Sequence, residues 1–168
     1  MRLLVDIRIR MISCPGVRMS YNNSSDIGLH IKLFNSLAIS SQSKLKFPIF
    51  LYEHFFFSKD FNCDNKSQLL DLLSEETICI ELLDENGLTV CRYESNSKDF
   101  LYPCHQLRPQ YSQSSRSLLM DCCLLPIAPK LEFNIINTIL NDIQELEPQF
   151  TSSNDCQSFE SIESSDYR

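Results

Sequence analysis

Arg2-Leu3-Leu4-Val5-Asp6-Ile7-Arg8-Ile9-Arg10-Met11-Ile12-Ser13-Cys14-Pro15-Gly16 is the stretch whose reading decides the fold class. Within it Val5, Ile7, Ile9 and Met11 alternate with Asp6, Arg8 and Arg10. A period of two sends every second side chain to one side, which predicts a strand with one buried face and one wet face. Pro15 cannot donate to a ladder and Gly16 accepts a positive φ, so the strand is expected to end there in a turn.

The pattern repeats outward from this strand. Ile27, Leu29, Ile31 and Leu33 alternate with Gly28, His30, Lys32 and Phe34, a second strand. Phe47-Pro48 opens Ile49–Phe57, an apolar run interrupted only by Glu53 and His54. Its aromatic and β-branched content favours a strand over a buried helix. Ser67 is placed to cap a short helix carrying Leu69, Leu70, Leu72 and Leu73. Thr77–Leu83 and Leu88–Tyr93, joined through Asp84-Glu85-Asn86-Gly87, form the strongest hairpin signal, because Asn-Gly tolerates the positive φ of a tight turn. Lys130–Ile136 alternates again, and Ile136, Ile139, Leu140 and Ile143 fall at the spacing of a short helix reaching Leu146. Polar segments separate these elements, and no regular strand–helix alternation occurs. About seven or eight short strands with one or two short helices give an all-β antiparallel sandwich. It is expected over residues 1–147, with a disordered acidic, Ser-rich tail over 148–168.

Composition excludes several chemistries. The chain of 168 residues carries a formal charge of −7, which repels nucleic acid on average. Its three glycines, Gly16, Gly28 and Gly87, lie far apart and cannot build a phosphate cradle. Asp6, Arg8 and Arg10 break the first apolar stretch, whereas a secretory core needs roughly 7–15 uncharged residues. No stretch approaches the roughly 20 apolar residues of a membrane span. An intracellular setting is therefore expected, in which the cysteines at 14, 63, 79, 91, 104, 122, 123 and 156 remain thiols. Cys79 and Cys91 read as core, and the sequons at Asn22, Asn23 and Asn65 carry no weight without secretion.

Candidate sites are weak. Cys104-His105 and Cys122-Cys123 offer zinc-type ligands, but adjacent residues of a strand point apart, and structural zinc prefers paired ligands two to four residues apart. His30 and His54 lie in strand patterns and read as sheet-face residues, with no nucleophile elbow to serve. Asp60 with Asp64, or Asp84 with Glu85, are too few carboxylates for a calcium cage. No catalytic, cofactor-binding or metal-binding residue is assigned, and an enzyme is not expected. The cysteine count alone keeps a thiol enzyme as a remote class.

Three ordered segments carry a resemblance. They are the strand ending in Ser13-Cys14-Pro15-Gly16-Val17, then Lys98-Asp99-Phe100-Leu101-Tyr102-Pro103 followed by Gln106-Leu107, then Pro129-Lys130-Leu131-Glu132-Phe133. With Phe47-Pro48 and the 77–93 hairpin between them, residues 2–140 resemble the N-terminal domain of the spermatogenesis-associated protein 6 family. Cys104 stands where that family usually has Gly, and its members continue into a long Ser- and Arg-rich tail. The resemblance implies a C2-like β-sandwich. It also implies a non-enzymatic interaction module in spermatogenesis, at the sperm connecting piece or flagellum near the centriole. The implied partners are proteins, namely myosin subunits (as in myosin light chain binding) or cytoskeletal and centriolar components. No cofactor, nucleic acid or small-molecule substrate is implied. A calcium- or lipid-binding C2 domain in membrane trafficking is the alternative.

Overall fold

The computed structural model describes residues 1–14, 26–103 and 115–140. In chain order the elements are β1 (Arg2–Ser13), β2 (Asp26–Leu33), β3 (Ser36–Ile39), β4 (Ser43–Lys44), β5 (Ile49–Asp60) and α1 (Lys66–Glu75). They continue as β6 (Thr77–Asp84), β7 (Thr89–Asn96), α2 (Ser97–Leu101), β8 (Arg116–Leu119), β9 (Asp121–Cys122) and β10 (Lys130–Leu140). One four-stranded sheet runs β5-β1-β10-β8, and a second sheet runs β3-β2-β6-β7-β9 with β4 beside β2. Every pairing is antiparallel, and the two inner faces share one core. This is the all-β antiparallel sandwich that the alternating patterns predict.

The opening strand lies at the centre of the first sheet, between β5 and β10, and buries Leu3, Val5, Ile7 and Ile9. Met11 breaks the expectation. Ile9 pairs with Phe133 and Met11 with Glu132, so Arg10 is an extra residue. That one-residue bulge reverses the parity of the strand, and Ile12 enters the core in place of Met11.

Further differences have local causes. Phe34 and Asn35 both take positive φ, 54° and 61°, and fold the chain back at once into β3. Asn65, not Ser67, caps α1 by accepting from the Gln68 N–H at 3.0 Å. Polar Ser97–Asp99 opens α2, because Asn96 accepts from the Asp99 N–H at 2.8 Å. Residues 116–122 divide between the sheets, β8 joining β10 and β9 joining β7, with buried Met120 at the crossing. β10 stays extended to Leu140, so the helical spacing at Ile136–Leu140 does not form a helix. Its long antiparallel pairing with β1 overrides that pattern. The Pro15-Gly16 turn, Cys104-His105, the 141–146 part of the expected helix and the 148–168 tail lie outside the described residues.

Candidate functional site

The outer face of the four-stranded sheet holds what the fold does not use. Register aligns His54 with Arg8 and Asn134, Phe56 with Asp6 and Ile136, and Ser58 with Leu4 and Thr138. Between these rows runs a shallow groove of about 480 Å³, lined by Leu4, Asp6, Arg8, Phe56, Ile136 and Thr138 among others. Phe56 is 72% exposed, Tyr52 68% and Phe50 55%, all on one side of β5. Leaving three large rings in water forgoes roughly 1.5–3 kcal/mol of burial for each. Exposed apolar side chains gathered on one face mark a contact surface more often than a solvated one.

Backbone strain lies in the same place. Between the pairs Ile9–Glu53 and Met11–Phe50, β5 sets Leu51 and Tyr52 against the single residue Arg10. Tyr52 takes φ 51°, a left-handed conformation unusual for an aromatic residue. Its ring stacks on Phe50 with centroids 6.0 Å apart. Strain of this kind persists where the surroundings or a function demand it.

Polar groups sit on the groove floor. The Asp6 carboxylate is largely covered, with 13% side-chain exposure, and accepts from Arg8 Nε at 2.7 Å. Its Oδ1 lies 3.5 Å from His54 Nδ1 and has no hydrogen-bond donor among the described residues; Asn134 Oδ1, on the next row, is likewise buried without one among them. Two unmatched acceptors beside apolar side chains leave a place for donors on an occupant.

The sequence-derived candidates fall elsewhere. His54 is on this outer face beside Asp6, whereas His30 is on the second sheet. Asp60 takes a two-point ion pair from Arg2, at 2.7 and 3.1 Å, which lowers its pKa. Asp84 accepts from the N–H groups of Leu88 (2.8 Å) and Asn86 (2.9 Å), which also lowers its pKa. Lys59, next to Asp60, pairs with Glu76 at the start of β6, and Asp84 closes that strand. An eight-residue strand spans roughly 23 Å, so the two carboxylate groups lie at opposite ends of the sheet and cannot converge.

The thiols gather by the β7–β9 pair, where Cys91 and Cys122 are cross-strand neighbours and Cys123 N–H donates to Val90 O at 3.2 Å. Burial pushes the Cys91 thiol up to about 12, with the nearby Cys123, Cys122 and Cys14 adding to it. Cys122 is raised as well, the opposite of a nucleophile's shift. Cys79 is half-buried on the outer side of β6, because the core side of that strand belongs to Ile78, Ile80 and Leu82. Among the described residues no three His, Cys, Asp or Glu side chains are placed to hold a metal ion, and no helix is long and apolar enough to cross a membrane.

Sequence reasoning did not reach the outer aromatic face. The available signal was Ile49–Phe57 itself, apolar on both parities, which fits a strand covered on both sides. Among the described residues only one side of β5 is covered.

Comparison with known proteins agrees with this architecture. Residues 5–139 match the model of a family described as Spermatogenesis-assoc protein 6. A Spermatogenesis associated 6-like protein of Homo sapiens is 34% identical over 137 residues, covering 80% of this chain and 32% of that protein. Its namesake in Rattus norvegicus is 28% identical over 162 residues, covering 93% and 40%. The chain thus spans about a third of the human relative's length and two fifths of the rat one's. Among solved structures, a C2 domain of plant Extended Synaptotagmin 1 superposes with a TM-score of 0.55 at 12% identity, covering 83% of this chain and 96% of that one. A chain of Extended-Synaptotagmin 2 that holds two C2 domains gives 0.52 at 9%, covering 80% and 39%. At such identities the likeness shows the fold alone, and the sandwich is C2-like.

Proposed function

The chain belongs to the spermatogenesis-associated protein 6 family, and from that premise we propose that it is a non-enzymatic, intracellular protein-interaction domain of the sperm connecting piece and flagellum. Membership carries a role in spermatogenesis. The finer reading has the domain joining head-to-tail structures near the centriole, with myosin subunits or cytoskeletal components as partners. The observation that carries it is the outer face of the four-stranded sheet, where Phe50, Tyr52 and Phe56 stand exposed over a groove with unmatched acceptors. Such a face suits another protein's side chains better than a small substrate.

A tagged copy at endogenous level in developing male germ cells tests this reading against a centriole marker. Signal at the neck beside the centrioles is the expected result. Diffuse or vesicular signal would sink the connecting-piece assignment. The alternative, a calcium- or lipid-binding C2 domain in membrane trafficking, is supported by fold likeness. It is weakened by the engagement of Asp60 with Arg2 and of Asp84 with its own turn. Calorimetry with Ca²⁺ and anionic vesicles separates the two, since micromolar binding would promote the alternative.

A further inference from the structure

We propose that β5 is a self-pairing edge. Two copies of this chain join β5 to β5 antiparallel about a two-fold axis, with His54 opposite Asp60 and Phe56 opposite Ser58 of the second copy. The inference goes beyond the contact-surface reading and does not rest on it.

The backbone supplies the first observation. Met1 and Phe61 exchange both main-chain hydrogen bonds, Phe61 N–H donating to Met1 O at 2.8 Å and the Met1 ammonium to Phe61 O at 3.0 Å. In an antiparallel ladder such pairs alternate with pairs that exchange none. The register then makes Leu3–Lys59, Val5–Phe57, Ile7–Phe55 and Ile9–Glu53 the bonded pairs. The N–H and C=O groups of His54, Phe56, Ser58 and Asp60 consequently point away from β1, toward the free edge of the sheet. Among the described residues nothing hydrogen-bonds to these groups. Soluble proteins usually blunt such an edge with a proline, a charge or a bulge, because a bare one pairs with other chains. Here the bulge at Tyr52 ends the regular run on one side, and from Glu53 to Asp60 the register is unbroken.

The second observation is self-complementarity. A two-fold axis beside Phe57 brings the four free residues opposite one another, so each pair across it exchanges both backbone bonds. It sets the half-exposed His54 against Asp60, whose 69%-exposed carboxylate keeps acceptor capacity beside Arg2. Phe56 meets the small side chain of Ser58 on the outer face.

The third is charge. Of the formal −7, residues 141–168 carry −6 and residues 1–140 only −1. The sequence that forms the sandwich is thus near neutrality and does not oppose pairing with itself. Pairing joins the two four-stranded sheets into one and sets both aromatic outer faces side by side, so a partner protein meets the groove twice.

The test is the mass and cross-linking of the full chain, kept in reductant. Light scattering over a concentration series should rise toward twice 19.5 kDa. Ser58→Pro removes an edge N–H that β1 does not use, and should hold the mass at one chain throughout. If that variant fails to fold, His54 gives the same test with opposite signs. His54→Asp faces Asp60 of the second copy and should raise the dissociation constant roughly tenfold, whereas His54→Lys should lower it about threefold. Phe56→p-benzoylphenylalanine, in an equal mixture of isotopically heavy and light chains, should give adducts between chains on residues 56–60. A mass of one chain at every concentration would overturn the proposal. A dimer that none of the folded edge variants alters, or adducts between chains that fall outside β5, would overturn it too.

Discussion

The two sheets present contrasting outer faces. On the second sheet, register sets Lys32 beside Cys79 and Glu94, and His30 beside Glu81 and Arg92. Lys32 Nζ lies 3.2 Å from Glu81, whose other oxygen faces Arg92, and Arg92 also pairs with Glu94. That is a ladder of cross-strand ion pairs, the usual dress of a solvated sheet. The first sheet also carries outer ion pairs, Arg8 with Asp6 and Lys130 with Glu132, but sets the aromatic rings of Phe50, Tyr52 and Phe56 beside them. The exposed apolar residues of the second sheet's outer face are instead the aliphatic Leu37 and Ile39 on β3. Both faces cover the same core, so stability does not require the difference. The aromatic character of the first sheet's outer face supports the proposal that it is the contact surface.

Substitutions can break or sharpen this contrast. The largest effect belongs to the control on the inner face. Ile9→Asp sets an unpaired charge where the side chain is 1% exposed, and should cost about 3 kcal/mol or more. A melting temperature equal to wild type would show that the faces of β1 are misassigned. Next is Tyr52→Gly, which frees the left-handed residue of its steric conflict and should raise stability by roughly 0.5–1 kcal/mol in denaturant titration. A loss of stability would mean that the stack on Phe50 holds β5 together, and that the strain serves the fold. Glu81→Gln, which weakens the ladder of the second sheet, should cost about 0.5 kcal/mol and lose that effect in high salt.

The turn ligand Asp84 gives a prediction in pH. Hydrogen bonds from Leu88 and Asn86 lower its folded pKa below 3.8, so its contribution is complete above that value and is lost as pH falls through the folded pKa. The melting-temperature gap between wild type and Asp84→Asn should therefore be constant near about pH 6 and close in acid. A gap that does not change with pH would show that the carboxylate's charge plays no part in the turn.

Much of the fold was legible because burial on one side writes a period of two into the chain. β1, β2 and the β6–β7 hairpin follow directly from that alternation and from Asn86-Gly87. What was not legible depends on partners distant in sequence. The Arg10 bulge is defined only by pairing with Phe133 and Glu132, so Met11 read as core until that register was known. Phe34 gives no sign that it turns left-handed. The candidate site was hidden for a related reason. Phe50, Tyr52 and Phe56 look like core until it is seen that no second layer among the described residues covers that side of β5.

One exposed position carries the most weight. Phe56→Asp sets a second carboxylate directly across from Asp6 and should cost up to about 1 kcal/mol while leaving the core intact. The most direct measurement is the position of that folded variant in developing male germ cells, by fluorescence against a centriole marker, beside wild type and the second-sheet control Lys32→Asp. The account predicts that wild type and Lys32→Asp gather at the neck while Phe56→Asp is diffuse. Phe56→Asp at the neck, indistinguishable from wild type, would contradict the claim that the outer face of the four-stranded sheet is the contact surface.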